Sequence, residues 1–185
     1  MKMNYSLVGV LFFMLFSLVN GQQINRFQNY TYVDNICCLA EIDENSLVLG
    51  SEGGIINYNS SLEDYSIINA TQKLLDLNIT SIEKINESLV VAGTYFGKLY
   101  LIDINNNDVI EEYNDLDDRI ITDIHHNNDT LWVATQKIVS VFKVLESELQ
   151  YVDIFENFPV TVEEINTITV FENELFVGTN NSLMN

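Results

Sequence analysis

The sequence predicts an all-β fold: a β-propeller of four-stranded antiparallel blades, about 42 residues per blade, with the last blade incomplete. The first observation behind this is a strand phrase that recurs four times. Leu47-Val-Leu-Gly-Ser51, Leu89-Val-Val-Ala-Gly-Thr94, Leu131-Trp-Val-Ala-Thr135 and Leu175-Phe-Val-Gly-Thr179 are versions of one strand. The second is the period. The leading leucines stand 42, 42 and 44 residues apart, and strand-built repeats in the low forties are propeller blades. The third is composition: β-branched and aromatic residues abound, turns are rich in Asn and Asp, and the single proline is Pro159. A two-sheet sandwich also spaces short strands evenly, but it does not repeat one phrase at a fixed period.

The chain opens like an export signal. Lys2 is the only charge before Arg26, Leu7 to Val19 is an apolar run, and Val19-Asn20-Gly21 puts small or short residues at a cleavage site. The run is shorter than the roughly 20 apolar residues a membrane helix needs, so a signal over residues 1–21 is expected rather than an uncleaved anchor. Residues 22–35 form an N-terminal segment in which Phe27–Val33 can supply a closing outer strand. Residues 36–185 carry the blades, three complete and a fourth partial. The mature chain is then exported, to the periplasm, the cell surface or the extracellular space.

Each unit reads as four short strands. The first follows I-x-x-I in Ile79-Thr-Ser-Ile82, Ile121-Thr-Asp-Ile124 and Ile165-Asn-Thr-Ile168, with Cys37-Cys-Leu39 in its place in the first unit and one extra residue in the turn that follows. A tight polar turn comes next: Asp43 to Ser46, Asn86 to Ser88, Asn127 to Asp129, Glu172 to Glu174. Asn and Asp suit it because they tolerate left-handed backbone and bond their own main chain. The leucine phrase is the second strand. The third is apolar and aromatic, in Ile55–Tyr58, Leu99–Ile102 and Val139–Phe142. The fourth alternates and is more polar, in Tyr65–Ile68, Val109–Tyr113 and Tyr151–Ile154. That gradient fits blades whose inner strands are buried on both faces and whose outer strand is half wet. The fourth unit ends after two strands, which leaves two expectations: the N-terminal part of a longer protein, or a small ring closed by Phe27–Val33.

These units resemble the repeats of secreted and periplasmic bacterial propellers, above all the two-component-regulator propeller type. That motif reads I-x-x-I, a short gap, then L-W-[IV]-[AG]-T, a glycine and an aromatic strand. Ile121 to Thr135 is similar to it throughout; Ile79 to Thr94 and Ile165 to Thr179 carry Val90 and Phe176 where it has Trp. The third unit departs with Gln136-Lys137 where the glycine is usual. The stretch Leu101 to Asp108 also looks like turns of quinoprotein-like propellers. The resemblance covers residues 36–182, and its motif residues are structural. It implies a ligand-sensing ectodomain, or the N-terminal part of a surface or secretion-associated component.

The chemistry in the sequence is sparse. The chain carries 8 basic and 27 acidic residues for a net charge of −19, which repels phosphate backbones and argues against nucleic acid and anionic lipid as partners. His125 and His126, the only histidines, are adjacent. On a strand they point apart, so one metal does not take both. Asp103-Ile-Asn-Asn-Asn107 begins like a calcium loop, but Asp108 stands where that loop needs glycine and Asn114 where it needs an acid. It reads as a hairpin turn. No nucleophile motif, Walker loop or separable acid–base pair occurs. No catalytic, cofactor-binding or metal residue is therefore assigned. Cys37 and Cys38 read as two small buried thiols, with an adjacent disulfide as the alternative. Seven N-x-[ST] sequons follow the signal, at Asn29, Asn59, Asn69, Asn78, Asn86, Asn128 and Asn180.

The assigned residues form the repeat core: Leu47, Leu89, Leu131, Trp132, Leu175 and Phe176. Trp132, aligned with Val48, Val90 and Phe176, reads as a packing position. The function expected is a non-catalytic module binding a protein, a small molecule or a glycan through its loops, without a cofactor. The alternative is a propeller enzyme of lyase or glycosidase type; the equivalent inner positions Thr80, Thr122 and Asn166 are bland, which disfavours it.

Overall fold

The computed structural model describes residues 33, 35–116, 119–158 and 161–184. The expected signal (1–21), the expected closing strand apart from Val33, and Pro159 lie outside the described residues. Within the unit spanning Thr31–Asn185, fifteen strands are described, in four sheets.

Blade 1 comprises β1 (Ile36–Asp43), β2 (Ser46–Ser51), β3 (Gly54–Asn59) and β4 (Asp64–Ile68). Blade 2 comprises β5 (Ile79–Lys84), β6 (Leu89–Thr94), β7 (Leu99–Asp103) and β8 (Asp108–Tyr113). Blade 3 comprises β9 (Ile121–Asn127), β10 (Thr130–Thr135), β11 (Val139–Val144) and β12 (Leu149–Phe155). Blade 4 comprises β13 (Ile165–Phe171), β14 (Glu174–Thr179) and β15 (Leu183–Met184). Every sheet is an antiparallel meander in sequence order. The fourth unit is one strand fuller than its sequence suggests, because Leu183 and Met184 pair with Gly178 and Val177.

The blades pack face to face, and the core is made between them. Along β6 and β7 the alternation of a strand sends Val90, Ala92, Tyr100 and Ile102 to the blade 1 side and Val91, Leu99 and Leu101 to the blade 3 side. Both faces are covered, which is why these strands read as continuous apolar runs. First strands of consecutive blades are neighbours, so β1, β5, β9 and β13 line the inside. The outer strand β12 is exposed from Gln150 to Phe155.

A bulge recurs at the start of each first strand. Ile36 faces Ser51 and Cys38 faces Gly50; Ile79 faces Thr94 and Ser81 faces Gly93. The same slip occurs in blades 3 and 4. The skipped residue turns toward the next blade. Cys37 Sγ donates to Ile79 O at 2.7 Å, and Thr80 Oγ1 donates to Ile121 O at 2.6 Å. Further polar side chains cross the seams. Lys84 Nζ donates to Ile42 O, the His126 N–H donates to Glu83 Oε1 at 2.8 Å, and the Ile168 N–H donates to Asp123 Oδ2 at 2.8 Å. The inner positions Thr80 and Thr122, bland in sequence, thus hold blades and strands: Thr122 Oγ1 donates to Ala134 O at 3.4 Å.

This register realigns the repeat. Pairing places Val90, not Leu89, at the position of Leu131, and Val91, not Val90, at the position of Trp132. The hairpin of blade 2 is longer: Lys84 pairs with Val90, and Leu89 closes the loop by accepting from the Ile85 and Asn86 N–H groups. In blade 1 the extra residue is absorbed as a bulge between Glu41 and Asp43 rather than in the turn.

Gly50, Gly93, Ala134 and Gly178 share one register position, and at Gly50 and Gly93 side chains of the following blade come close. A Cβ on Gly93 would stand 2.5 Å from Ile121 Cγ2 and 2.9 Å from Ile121 Cβ. The Ile121 Cβ is fixed to the backbone and cannot swing aside without moving the strand. Gly93→Ala should therefore destabilise by about 1–3 kcal/mol, read from urea unfolding midpoints. Gly178→Ala, whose Cβ meets only Thr167 Cγ2 below 3 Å, should cost less; equal losses would mean that the blade spacing is not what excludes the methyl.

Candidate functional site

Connections alternate between two ends of the blades. The turns within β1–β2 and β3–β4, and their repeats, lie at one end. The β2–β3 type loops and the connections between blades lie at the other. At this second end blade 2 presents the stretch Thr94-Tyr-Phe-Gly-Lys98, between β6 and β7.

Tyr95 and Phe96 are 44% and 57% exposed, and Leu75 in the preceding connection is 67% exposed. The two rings meet edge to face, with centroids 5.3 Å apart. Exposed aromatics of this size need a rigid support to stay apart from the core, and Asp76 supplies it. Asp76 is itself buried. Its Oδ2 accepts from the Phe96 N–H at 3.3 Å and its Oδ1 from the Asn78 N–H at 3.2 Å, while its own N–H donates to the Tyr100 hydroxyl at 3.0 Å. The Tyr95 N–H donates to Asn78 O at 2.9 Å. Gly97 takes φ +78°, where a side chain would be strained, and lets the loop return. Upstream, Asn69 caps the short helical turn Ala70–Gln72 in a capping box with Gln72, and Lys73 ends it in the left-handed region. Both loops are thus tied by their own backbone bonds.

The surrounding charges are paired. Lys98 Nζ donates to Glu112 Oε1 at 2.7 Å. That hydrogen bond raises the Lys98 ammonium above its ordinary value. Burial pushes the Glu112 carboxyl up, and the bonds from Lys98 and Asn114 outweigh it, holding the group below the usual range. Burial raises the Tyr100 hydroxyl. The surface thus carries two exposed aromatic rings on a loop braced by the buried Asp76.

Of the assigned repeat residues, Leu131 is fully buried, and Leu47, Leu89, Trp132, Leu175 and Phe176 are half-buried. Leu47 and Phe176 lie on the faces of blades 1 and 4 that no described blade covers. Ile36 and Leu39, exposed at 48% and 62%, share the open face of blade 1, where their counterparts Ile79 and Ile82 are buried. Trp132 faces blade 4 beside Phe155, with ring centroids 6.0 Å apart.

His125 and His126 lie in β9. Glu83 Oε1 stands 3.9 Å from His125 Nδ1; burial raises the Glu83 carboxyl and lowers His126. Among the described residues no group of three or more His, Cys, Asp or Glu is arranged to hold a metal. Asp103 Oδ1 accepts from the Asn105 and Asn106 N–H groups, so Asp103–Asn107 is a hairpin turn. The cysteines differ from the expected buried pair. Cys37 is exposed and Cys38 half-buried, both are free, and burial with the neighbouring Cys37 pushes the Cys38 thiol up to about 12. The bulge is the reason, since it turns Cys37 into the seam toward Ile79. Asn69 is buried in its cap, whereas the sequon residues Asn86, Asn128 and Asn180 are exposed. The aromatic loop was not assigned from sequence. Its only signal is the phrase Thr94-Tyr-Phe-Gly97, two aromatics where a turn is normally polar.

No family model matches the chain, and no curated protein matches it. Solved structures do. The WD40 β-propeller domain of Doa1 aligns with TM-score 0.65 and 12% identity over 80% of this chain and 49% of that one. The β-propeller domain of Cps50 (Swd1) from Myceliophteria thermophila aligns with TM-score 0.64 and 17% identity over 76% and 52%. The fold is a β-propeller. The chain spans about half the length of these two propellers, and 88% of the computationally designed Ika4 protein, which it matches with TM-score 0.62 and 14% identity. At these identities the likeness concerns the fold alone. No helix among the described residues is long and apolar enough to cross a membrane.

Proposed function

We propose that this chain is an exported, non-catalytic propeller module that binds a protein through the loop end of blade 2. In this reading it belongs to the N-terminal part of a longer cell-envelope sensor or secretion-associated protein, with blades of the two-component-regulator type. The observation that carries the binding role is the exposed Tyr95–Phe96 pair, pinned by Asp76 and the Asn78 carbonyl. Anchors held in place before contact lose little freedom on binding. The apolar run before Gly21 supports export, and the uncovered apolar faces of blades 1 and 4 support a larger ring. The location is the periplasm, the cell surface or the extracellular space.

The test uses the full-length protein in its own cells. N-terminal sequencing should begin at Gln22, and in-cell cross-linking should join the loop end of blade 2 to a partner. Tyr95→Ser with Phe96→Ser should abolish those cross-links while leaving the melting temperature unchanged. An intact Met1 on a cytosolic protein sinks the export reading; cross-links that survive the double substitution sink the binding surface.

A further inference from the structure

The opposite end of the propeller carries a second feature of different chemistry. Where the turns of blades 1 and 2 meet, a cleft of about 360 Å³ opens, a volume in the range of small-ligand sites. Asn57, Asn59, Asn105 and Asn107 line it, with the hydroxyls of Ser46 and Ser66. Asp43, Asp64 and Glu87 stand among them, and no Lys, Arg or His lines the cleft.

The amides are oriented rather than loose. Asn57 Nδ2 donates to Ile104 O at 2.8 Å and to Asn107 Oδ1 at 3.1 Å. Ser66 Oγ donates to the same Asn107 Oδ1 at 2.9 Å. Asn107 sits at φ +51°, a conformation Asn tolerates better than most residues. With its carbonyl oxygen taken twice, the Asn107 amide offers its N–H groups. Asn105 Nδ2 donates to Ser88 Oγ at 3.0 Å, which holds that side chain against blade 2.

This lining does not follow from blade geometry. The cleft between blades 2 and 3 at the same end has a volume of about 470 Å³ and is lined by Ile85, Leu89, Val144 and Leu145 together with Asn86, His126, Asn128, Asp129 and Glu146. The seam between blades 1 and 2 is distinguished by its four amides, against two in the next seam.

We infer that the cleft between blades 1 and 2 binds an uncharged saccharide. A sugar offers neighbouring hydroxyls that donate and accept at once. Here the Asn107 amide supplies donors, and the carboxylates of Asp43, Asp64 and Glu87, which only accept, supply acceptors for such a pair. The three carboxylates disfavour phosphorylated and carboxylated ligands; the nearest ammonium, that of Lys84, is held on the Ile42 carbonyl. The polar lining disfavours apolar ones, whose entry would leave oriented amides unpaired. Among the described residues no acidic group here is arranged to hold a metal. The exposed Leu62 at the rim gives the C–H face of a sugar ring an apolar contact. This site lies at the other end of the blades from Tyr95 and Phe96, so it stands apart from the protein-binding surface.

The experiment is titration calorimetry and saturation-transfer NMR on the full-length protein, with cellobiose, maltose and N,N′-diacetylchitobiose as probes and digalacturonate as the anionic comparison. At least one neutral disaccharide should bind with a Kd of about 1 mM or tighter, and digalacturonate should not. Asp64→Ala with Asn105→Ala, both at exposed positions, should weaken that binding roughly tenfold or more at an unchanged melting temperature. Phe96→Ser should leave it intact. Silence from all three sugars overturns the inference. So does binding that the double substitution does not touch, or a melting temperature raised by CaCl2 with no sugar response, which would make the cleft a cation site.

Discussion

Phe142→Ala should lower the stability of the propeller by about 3–5 kcal/mol, among the largest losses any single truncation here can produce. Phe142 is fully buried in the seam between blades 2 and 3. Its ring meets Tyr113 edge to face at 4.9 Å and Tyr151 at 5.6 Å. Tyr113 and Tyr151 are themselves stacked, with centroids 6.5 Å apart. Removing the ring therefore empties the centre of a three-ring cluster that ties β8 to β11 and β12. The pair interactions add about 0.5–1.5 kcal/mol each beyond area burial, so the loss should fall toward the upper end. Phe142→Leu keeps most of the volume and should cost under about 1.5 kcal/mol. Guanidinium unfolding with unchanged slope measures both. If alanine and leucine cost the same, the ring is not packed between the blades as described.

The blade architecture was legible because it is written twice over. The I-x-x-I phrase follows from an innermost strand that packs its two isoleucines on the preceding blade, and the leucine phrase from a middle strand that is apolar on both faces. Val90 and Val91 show it in adjacent residues, one turned to each neighbouring blade. What went unread is where a strand slips. The residue type of Thr80 suits a ladder position as well as a seam; the mark of the bulge is the three-residue spacing of Ile79 and Ile82, which a regular strand would send to opposite faces and which here share one. That slip decides that Thr80 bonds Ile121 O, and the matching slip between Ile36 and Cys38 decides that Cys37 bonds Ile79 O and is exposed. Exposure itself was also hidden. Leu39 and Ile82 hold equivalent places in the repeat, yet only Ile82 has a blade against its face.

The functional surfaces were less legible still. Tyr95 and Phe96 fall between the second strand and the third, which begins at Leu99, and nothing in the repeat pattern says whether such loop aromatics fold inward or stay exposed. Asp76 reads as one carboxylate among 27 acidic residues, and its role appears only when its oxygens are found under Phe96 and Asn78. The Asn-rich turns were read as turns, which they are. That Asn57 and Asn107 meet across a seam, fifty residues apart in the chain, is a property of blade packing and not of any local pattern.

Register makes the last result decisive. Leu131→Ala should cost about 2–5 kcal/mol, because Leu131 is fully buried and its cross-strand partner is Phe142. Leu89 carries the same leading place in its phrase but not the same place in its blade. It pairs with Asp103 at the end of β6 and is half-buried. Leu89→Ala should therefore cost about 1–2 kcal/mol, in proportion to the partial burial. Val90 is the residue of blade 2 that stands where Leu131 stands, fully buried against blade 1. Val90→Ala removes two methyl groups from a closed site and should cost about 1.5–3 kcal/mol. The order of the three losses is the test, because it compares positions rather than residue types. Losses ranking Leu131 first, Val90 second and Leu89 last support the pairing of Lys84 with Val90. A Leu89 loss matching that of Leu131, with Val90 near zero, would restore the alignment by leading leucines and move the whole of β6 one residue, which turns every side chain of that strand to the opposite blade.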